Sequence, residues 1–177
     1  MLTLQEMDAL LRESLSEHRY AHSLGVTETA VKLAKAHGGD TEKCRIAGLL
    51  HDCAKGMSTS DMLRAIYRNG IVLYPGEEDF EQLLHAPAGA AVAREIYGVD
   101  DEEILSAIRS HTVGGRNMSL TDKIIYVADF IEPGRKSFTG LEDARDLALK
   151  DINAAQELCA HLTNEYCHSR GQKVFSI

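Results

Sequence analysis

The feature that most constrains the fold is a helical spacing of apolar residues along nearly the whole chain. Apolar side chains recur every three or four positions, and glycine or proline ends most of these segments. No stretch alternates apolar and polar residues over the length of a strand, and no repeat or linker interrupts the pattern. The sequence therefore predicts an all-α helical bundle that forms a single domain over residues 1–177.

Capping and stop signals divide this pattern into segments. Thr41 is a predicted N-cap and Gly56 a predicted stop, while Ser119 and Asp122 form a capping-box pattern. Pro87 predicts a break near His85, and the last segment is one long helix or two. The predicted helices are Leu4–Leu15, Tyr20–His37, Thr41–Lys55, Thr59–Asn69, Phe80–Tyr97, Asp101–His111, Ser119–Ile131 and Leu141–Cys167.

Charge and composition exclude several classes of protein. The formal charge of −8 at pH 7 disfavours a non-specific nucleic-acid binder, which needs a basic face. A small phosphorylated substrate remains compatible, because a metal ion and a few basic residues can supply local positive charge. The sequence has neither an apolar run of membrane-spanning length nor a secretory signal pattern, and its cysteines lack C-x-x-C spacing. We therefore expect a cytoplasmic protein that binds neither nucleic acid nor membranes.

Four of the eight histidines share apolar sequence surroundings. They are His22, His51, His85 and His111, whereas the other four lie near helix ends or among polar residues. Each taken alone is explained by a hydrogen bond in the core. Together they require a shared explanation, because several buried imidazoles without partners would be costly.

Two carboxylates share the same apolar setting. Asp52 follows an apolar run, and Asp129 follows Ile125 and Tyr126 on one side of a predicted helix. No lysine or arginine lies within one turn of Asp129, so its charge requires a cation from elsewhere. A divalent metal bound by imidazole and carboxylate groups from several helices answers this requirement. The candidate ligands are His22, His51, Asp52 and Asp129.

The order of these ligands resembles the metal-dependent phosphohydrolases of the HD-domain superfamily. HDCAK (residues 51–55) is similar to that superfamily's HDxxK form, and LLHAPAGA (83–90) and AIRSHT (107–112) supply two further histidines. MSLTDKIIYVADFIEPGR (118–135) is similar to a segment of the YqeK-type group of symmetrical dinucleoside tetraphosphatases. The likeness extends from about Arg19 to Leu147.

The resemblance implies an HD-domain bundle that cleaves diadenosine tetraphosphate (Ap4A) into two ADP. It implies that the four candidate ligands bind a divalent metal, usually iron, with Mn, Co or Mg as alternatives. His85 and His111 would either hold a second metal, with Asp52 as the bridge, or contact the phosphates directly. The resemblance also implies phosphate contacts for Lys55, Thr112 and Arg135, and a catalytic set of His51, Asp52, Lys55 and Asp129.

Other functions stay open on the sequence alone. The same metal site would suit a nucleotidase, a deoxynucleoside triphosphate hydrolase or an alarmone pyrophosphohydrolase. A non-catalytic regulatory module is a further alternative, although every proposed ligand is present. The expected partners are a dinucleoside polyphosphate or a nucleoside diphosphate, and no motif decides whether the chain forms a homodimer.

Overall fold

The computed structural model describes residues 1–175, and in that range the chain is helical without β-strands. The all-α prediction is confirmed, while the single domain stays a prediction. The helices are α1 (Leu4–Ser14), α2 (Glu17–His37), α3 (Thr41–Leu50), α4 (Thr59–Arg68), α5 (His85–Glu95), α6 (Glu102–Ser110), α7 (Leu120–Ile131), α8 (Leu141–Ala148) and α9 (Ile152–Ser169). Two short 3-10 turns, Glu77–Asp79 and Glu81–Leu83, precede α5.

The centre of the bundle is formed by α2, α3, α6 and α7. Helix α2 packs against α3 and α7, and α6 packs against α3, α5 and α7. Their inner faces bury aliphatic residues such as Val26, Leu50, Ile108 and Ile125, none of which is measurably exposed. This burial is the main stabilising contribution to the bundle, because removal of apolar surface from water dominates folding. It also fixes the helix ends that carry the candidate ligands.

Gly48 lets α2 and α3 approach closely. A Cβ atom at Gly48 would lie 3.0 Å from Thr27 Cα and 3.3 Å from Thr27 N, closer than side-chain carbons normally come to backbone atoms. The glycine therefore allows α3 to lie directly against α2. This contact brings His51, at the end of α3, next to His22 in α2.

The predicted capping box of α7 is confirmed, but the N-cap of α3 is Asp40 rather than the predicted Thr41. Ser119 accepts a hydrogen bond from Asp122 N and Asp122 reaches back to Ser119 N, which completes the capping box of α7. Gly38 ends α2 in the left-handed conformation with φ of 70°, a conformation common for glycine at helix C-termini. The final segment is two helices, since Asp151 caps the start of α9.

Two predicted helices are too long. Helix α3 ends at Leu50 rather than Lys55, and residues 51–56 form successive turns in which Cys53 N and Lys55 N bond to carbonyls three residues back. The predicted segment from Phe80 is helical only from His85, because 3-10 turns replace its first turn. Pro87 lies in the first turn of α5, where its missing N–H leaves no bond unmade. Both corrections place a candidate ligand at a helix end.

Candidate metal centre

Five helices bring the six predicted histidine and aspartate ligands to one place. His51 caps the C-terminal end of α3 and Asp52 follows it, while His111 caps the C-terminal end of α6. His85 begins α5, and the remaining two ligands lie at the start of α2 and in the last turn of α7. Helix ends leave unpaired backbone groups, which is why polar side chains are tolerated at these buried positions.

Three of the histidines are held by backbone carbonyl groups. Nδ1 lies 2.7 Å from Gly48 O in His51, 2.8 Å from Gln82 O in His85 and 2.7 Å from Ile108 O in His111. A carbonyl oxygen only accepts hydrogen bonds, so Nδ1 carries the hydrogen in each ring. In the neutral imidazole the free lone pair is then on Nε2, the atom that faces the other ligands.

The first ligand group contains His22, His51 and Asp129. Asp129 Oδ1 lies 3.0 Å from His22 Nε2 and 3.9 Å from His51 Nε2, and the two Nε2 atoms are 3.3 Å apart. One donor atom from each residue therefore lies within 4.8 Å of the others, close enough to surround a single ion.

The second ligand group contains Asp52, His85 and His111. The Nε2 atoms of His85 and His111 are 3.1 Å apart, and Asp52 Oδ1 lies 3.3 Å from the former and 3.6 Å from the latter. Lys55 Nζ lies 2.8 Å from His85 Nε2 and 3.6 Å from Asp52 Oδ1. Two imidazole lone pairs and a carboxylate thus point at one small volume, where the Lys55 ammonium supplies positive charge and where a metal cation would also fit.

Asp52 connects the two groups. Its Oδ2 lies 3.9 Å from His51 Nε2 and 3.5 Å from Arg19 Nη1, whereas its Oδ1 faces the second group. The residue is 4% exposed, so water does not compensate its charge. A carboxylate with one oxygen directed to each group suits a ligand shared by two ions.

The protonation states match those of metal ligands. Burial lowers the pKa of His51 and lowers that of His85 to about 2, so both rings are neutral at pH 7. Burial alone would raise the pKa of Asp52 and Asp129, but both pKa values lie well below normal because of the nearby histidines. Neutral imidazole and ionised carboxylate are the forms that coordinate metals, so the residues present fit a divalent cation.

His22 differs from the other three because both of its nitrogens face carboxylates. Burial lowers the pKa of His22, but hydrogen bonds to Asp129 and Glu132 outweigh that effect and raise it. When the ring is protonated, both of its nitrogens can donate hydrogen bonds to these carboxylates. Metal binding at Nε2 would replace one of these protons.

Glu132 was not found by sequence reasoning. Its Oε1 lies 3.2 Å from His22 Nδ1, and its Oε2 accepts a 2.5 Å hydrogen bond from Gly134 N. A Cβ at Gly25 would lie 2.7 Å from Oε2, so the glycine on α2 leaves room for this carboxylate. The sequence gave no signal for Glu132, except that it follows Asp129 directly after the end of α7. A carboxylate on the outer nitrogen of a ligand histidine fixes the tautomer and strengthens the metal bond.

Arg135 corrects one expectation about Asp129. The sequence places no basic residue within a turn of this aspartate, yet the Pro133-Gly134 turn brings Arg135 back to it. Arg135 Nη2 lies 2.7 Å from Asp129 Oδ1 and 2.8 Å from Asp129 O. Asp129 therefore has an arginine partner as well as the histidines.

The predicted phosphate ligands lie around a cavity of about 340 Å³ beside the centre. Lys55, Thr112 and Arg135 line it together with His85, His111 and Asp129. Thr112 Oγ1 is buried and has no hydrogen-bond partner among the described residues. Arg109, two residues before His111, pairs with buried Glu77 at 2.5 Å and anchors the loop before α5.

Comparison with known proteins identifies the fold family. A family model described as the HD domain matches residues 19–134, which include both ligand groups. This chain belongs to the HD domain family. HD domains are metal-dependent, in agreement with the clustering of His22, His51 and Asp129 and of His51, Asp52 and His111.

This chain matches curated relatives over most of its length. It is 46% identical over 150 residues to the symmetrical bis(5'-nucleosyl)-tetraphosphatase of Halalkalibacterium halodurans, covering 82% of this chain and 77% of the relative. It is 40% identical over 171 residues to the protein of the same name from Bacillus subtilis, covering 97% of this chain and 91% of the relative.

A crystal structure supports the fold directly. This chain matches the structure of a Clostridium acetobutylicum protein with a TM-score of 0.93 and 41% identity. That protein is described as a predicted HD superfamily hydrolase involved in NAD metabolism. The match covers 99% of this chain and 92% of that chain. In residues 1–175, none of the helices combines the length and apolarity needed to cross a membrane.

Proposed function

We propose that this HD-domain chain is a metal-dependent hydrolase that cleaves Ap4A symmetrically into two ADP. The relatives that carry the name symmetrical bis(5'-nucleosyl)-tetraphosphatase are 40–46% identical over most of the chain. The clustering of donor atoms from His22, His51 and Asp129, and from His51, Asp52 and His111, supports a metal site for the chemistry that these names describe.

The position of Asp52 between the two ligand groups is the observation that carries this proposal. One cation would be held by His22, His51, Asp52 and Asp129, and a second by Asp52, His85 and His111. A second cation is favoured over direct phosphate contact by His85 and His111, since their facing Nε2 atoms cannot donate hydrogen bonds to a phosphate. Lys55 supplies positive charge to the second group in the absence of that ion.

Iron is the proposed metal, with Mn, Co and Mg as the alternatives. A set of four imidazole nitrogens and two carboxylates favours first-row transition metals over Mg²⁺, which prefers oxygen ligands. When bound, such cations lower the pKa of water towards neutrality and polarise phosphoryl oxygens.

The chain's own residues would bind and orient the polyphosphate. Lys55 and Arg135 border the cavity next to the ligands and would neutralise charge on the non-bridging oxygens. The unpartnered hydroxyl of Thr112 supplies a hydrogen-bond donor on the same wall. Hydrogen bonds to Asp129 already hold the Arg135 side chain in place, so the side chain would lose little conformational entropy when a phosphate binds.

Product analysis tests the proposed function. The protein loaded with Fe²⁺ or Mn²⁺ should convert Ap4A into ADP alone, and formation of AMP and ATP would contradict symmetrical cleavage. Asp52→Ala and Asp129→Ala should lose both activity and bound metal. Asp146→Ala, which changes an exposed aspartate on α8, is the matched control and should keep both.

The other HD-domain activities are separated by substrate. A panel of Ap4A, deoxynucleoside triphosphates, nucleoside monophosphates and alarmones would reveal a different preference. The names of the relatives favour the dinucleoside tetraphosphate, and the complete ligand set favours an enzyme over a regulatory module. The cytoplasmic location stays a prediction, and the choice between monomer and homodimer stays open.

A further inference from the structure

A larger cavity of about 780 Å³ adjoins the metal centre. It lies between the loop after α6 (residues 112–118), helix α9 and the segment 171–175. Four residues, Gln82, Thr112, Tyr126 and Thr163, line both this cavity and the smaller cavity at the metal centre. A ligand bound at the metal centre can therefore continue into the larger space, which we call the lateral cavity.

The charge of the lateral cavity is opposite to that of the whole chain. The chain carries 27 acidic residues and a net charge of −8, yet among the described residues no Asp or Glu lines this cavity. Arg116, Lys123 and Lys173 line it instead. Lys123 Nζ donates to the amide oxygen of Asn153 at 2.7 Å, so its positive charge is not neutralised by that contact. The lateral cavity is thus suited to an anionic ligand.

The remaining walls suit a nucleobase. The rings of Phe80 and Phe175 meet edge to face, with centroids 5.3 Å apart, at one side of the cavity. Aromatic faces bind bases by stacking. Side-chain amides from Gln156, Asn164 and Gln172 also line the space, and such amides can pair with the donor and acceptor edge of adenine. Its volume lies in the usual range of small-molecule sites, roughly 300–1,000 Å³.

We propose that the lateral cavity binds one nucleoside 5'-phosphate half of the substrate. The base would pack against Phe80, and the phosphate nearest the ribose would lie among the three basic residues. The polyphosphate would then pass Thr112 to reach the metal centre. This inference rests on the proposed function, since it names the place where that substrate's nucleoside is recognised.

Inhibition by the product and by its phosphate fragment tests the proposal. In Phe80→Ala, the inhibition constant of ADP and the KM of Ap4A should rise about 10-fold, the usual effect of losing one base-stacking side chain. The inhibition constant of inorganic pyrophosphate should be unchanged, because pyrophosphate has no base. Equal effects on ADP and pyrophosphate, or no effect on either, would overturn the proposal.

A charge reversal at the cavity provides a variant that does not disturb the core. Arg116 is exposed, so Arg116→Glu should fold normally while raising the KM of Ap4A, with kcat retained. Lys150→Glu is the matched control, because it makes the same type of charge change at an exposed site outside both cavities. A KM in Arg116→Glu no higher than in the control would count against the lateral cavity.

Photolabelling of the unmodified protein locates the base directly. After irradiation with 8-azido-ADP, mass spectrometry should find the label in residues 80–83, 112–118, 156–167 or 172–175. A label confined to other segments would refute the proposal even if Ap4A is cleaved to ADP. Failure of the wild-type protein to cleave Ap4A would instead refute the proposed function, so the two failures are distinguishable.

Discussion

Glu132→Gln tests whether the carboxylate behind His22 supports metal binding. The wild-type side chain accepts from two donors, His22 Nδ1 at 3.2 Å and Gly134 N at 2.5 Å. A glutamine has the same shape, but only one of its two terminal atoms accepts hydrogen bonds. Its NH₂ group must therefore face either His22 Nδ1 or Gly134 N, and one buried donor is left without an acceptor.

The size of this effect follows from the buried position of Glu132, which is 4% exposed. A buried polar group left without its partner costs about 1–3 kcal/mol. If the metal-bound state alone bears this cost, because the metal fixes the His22 ring, metal affinity should fall roughly 5- to 150-fold, since about 1.4 kcal/mol corresponds to a factor of ten. That range contains the loss usually seen when the outer partner of a ligand histidine is changed, about 10- to 100-fold.

Metal affinity is measured by competition with a chromophoric chelator, and Ap4A turnover is measured at saturating metal. We expect weaker binding in Glu132→Gln, with activity largely restored when the metal concentration is raised. Glu42→Gln makes the same change at an exposed glutamate on α3 and serves as the control. Wild-type metal affinity in Glu132→Gln would refute the role of Glu132 in orienting His22.

Three further predictions concern stability. Gly48→Ala should lower the free energy of unfolding by about 1–3 kcal/mol, measured by urea denaturation, because its Cβ would lie 3.0 Å from Thr27 Cα. Metal-free protein should lose stability as the pH falls below about 6.5. The pKa values of His51 and His85 are lowered in the fold, so the unfolded chain binds more protons in this range. Each histidine should therefore lower the free energy of unfolding by up to about 1.4 kcal/mol per pH unit. The raised pKa of His22 acts in the opposite direction and cancels part of this slope, and a thermal midpoint that rises on acidification would contradict the assignment. Addition of Fe²⁺ or Mn²⁺ at 100 times its dissociation constant should stabilise the fold by about 2.7 kcal/mol at pH 7, visible as a higher thermal midpoint; an unchanged midpoint would contradict metal binding to the folded state.

The helices were predictable from the sequence because local signals specify most of their ends. The Ser119 capping box and the left-handed Gly38 behave as their residue types predict. The end of α3 was not predictable in the same way. Residues 51–55 keep a helical apolar pattern, but the chain changes to successive turns there, so that Asp52 faces both ligand groups.

The ligands were predictable because histidine and aspartate in apolar surroundings are costly without partners. Their division into two groups depends on which oxygen of Asp52 faces which histidine, and this is a property of the tertiary structure. The contacts of Glu132 and Arg135 arise from the turn after α7, which brings both side chains back to earlier residues. Sequence spacing carries no information about such returns.

The claim that Asp52 is shared by two metal ions is tested most directly by anomalous diffraction from crystals of the metal-loaded protein. Two peaks are expected, one beside His22, His51 and Asp129 and one beside His85 and His111, with an oxygen of Asp52 next to each. A single peak in the first group, with Lys55 still bonded to His85 at saturating metal, would contradict the shared ligand.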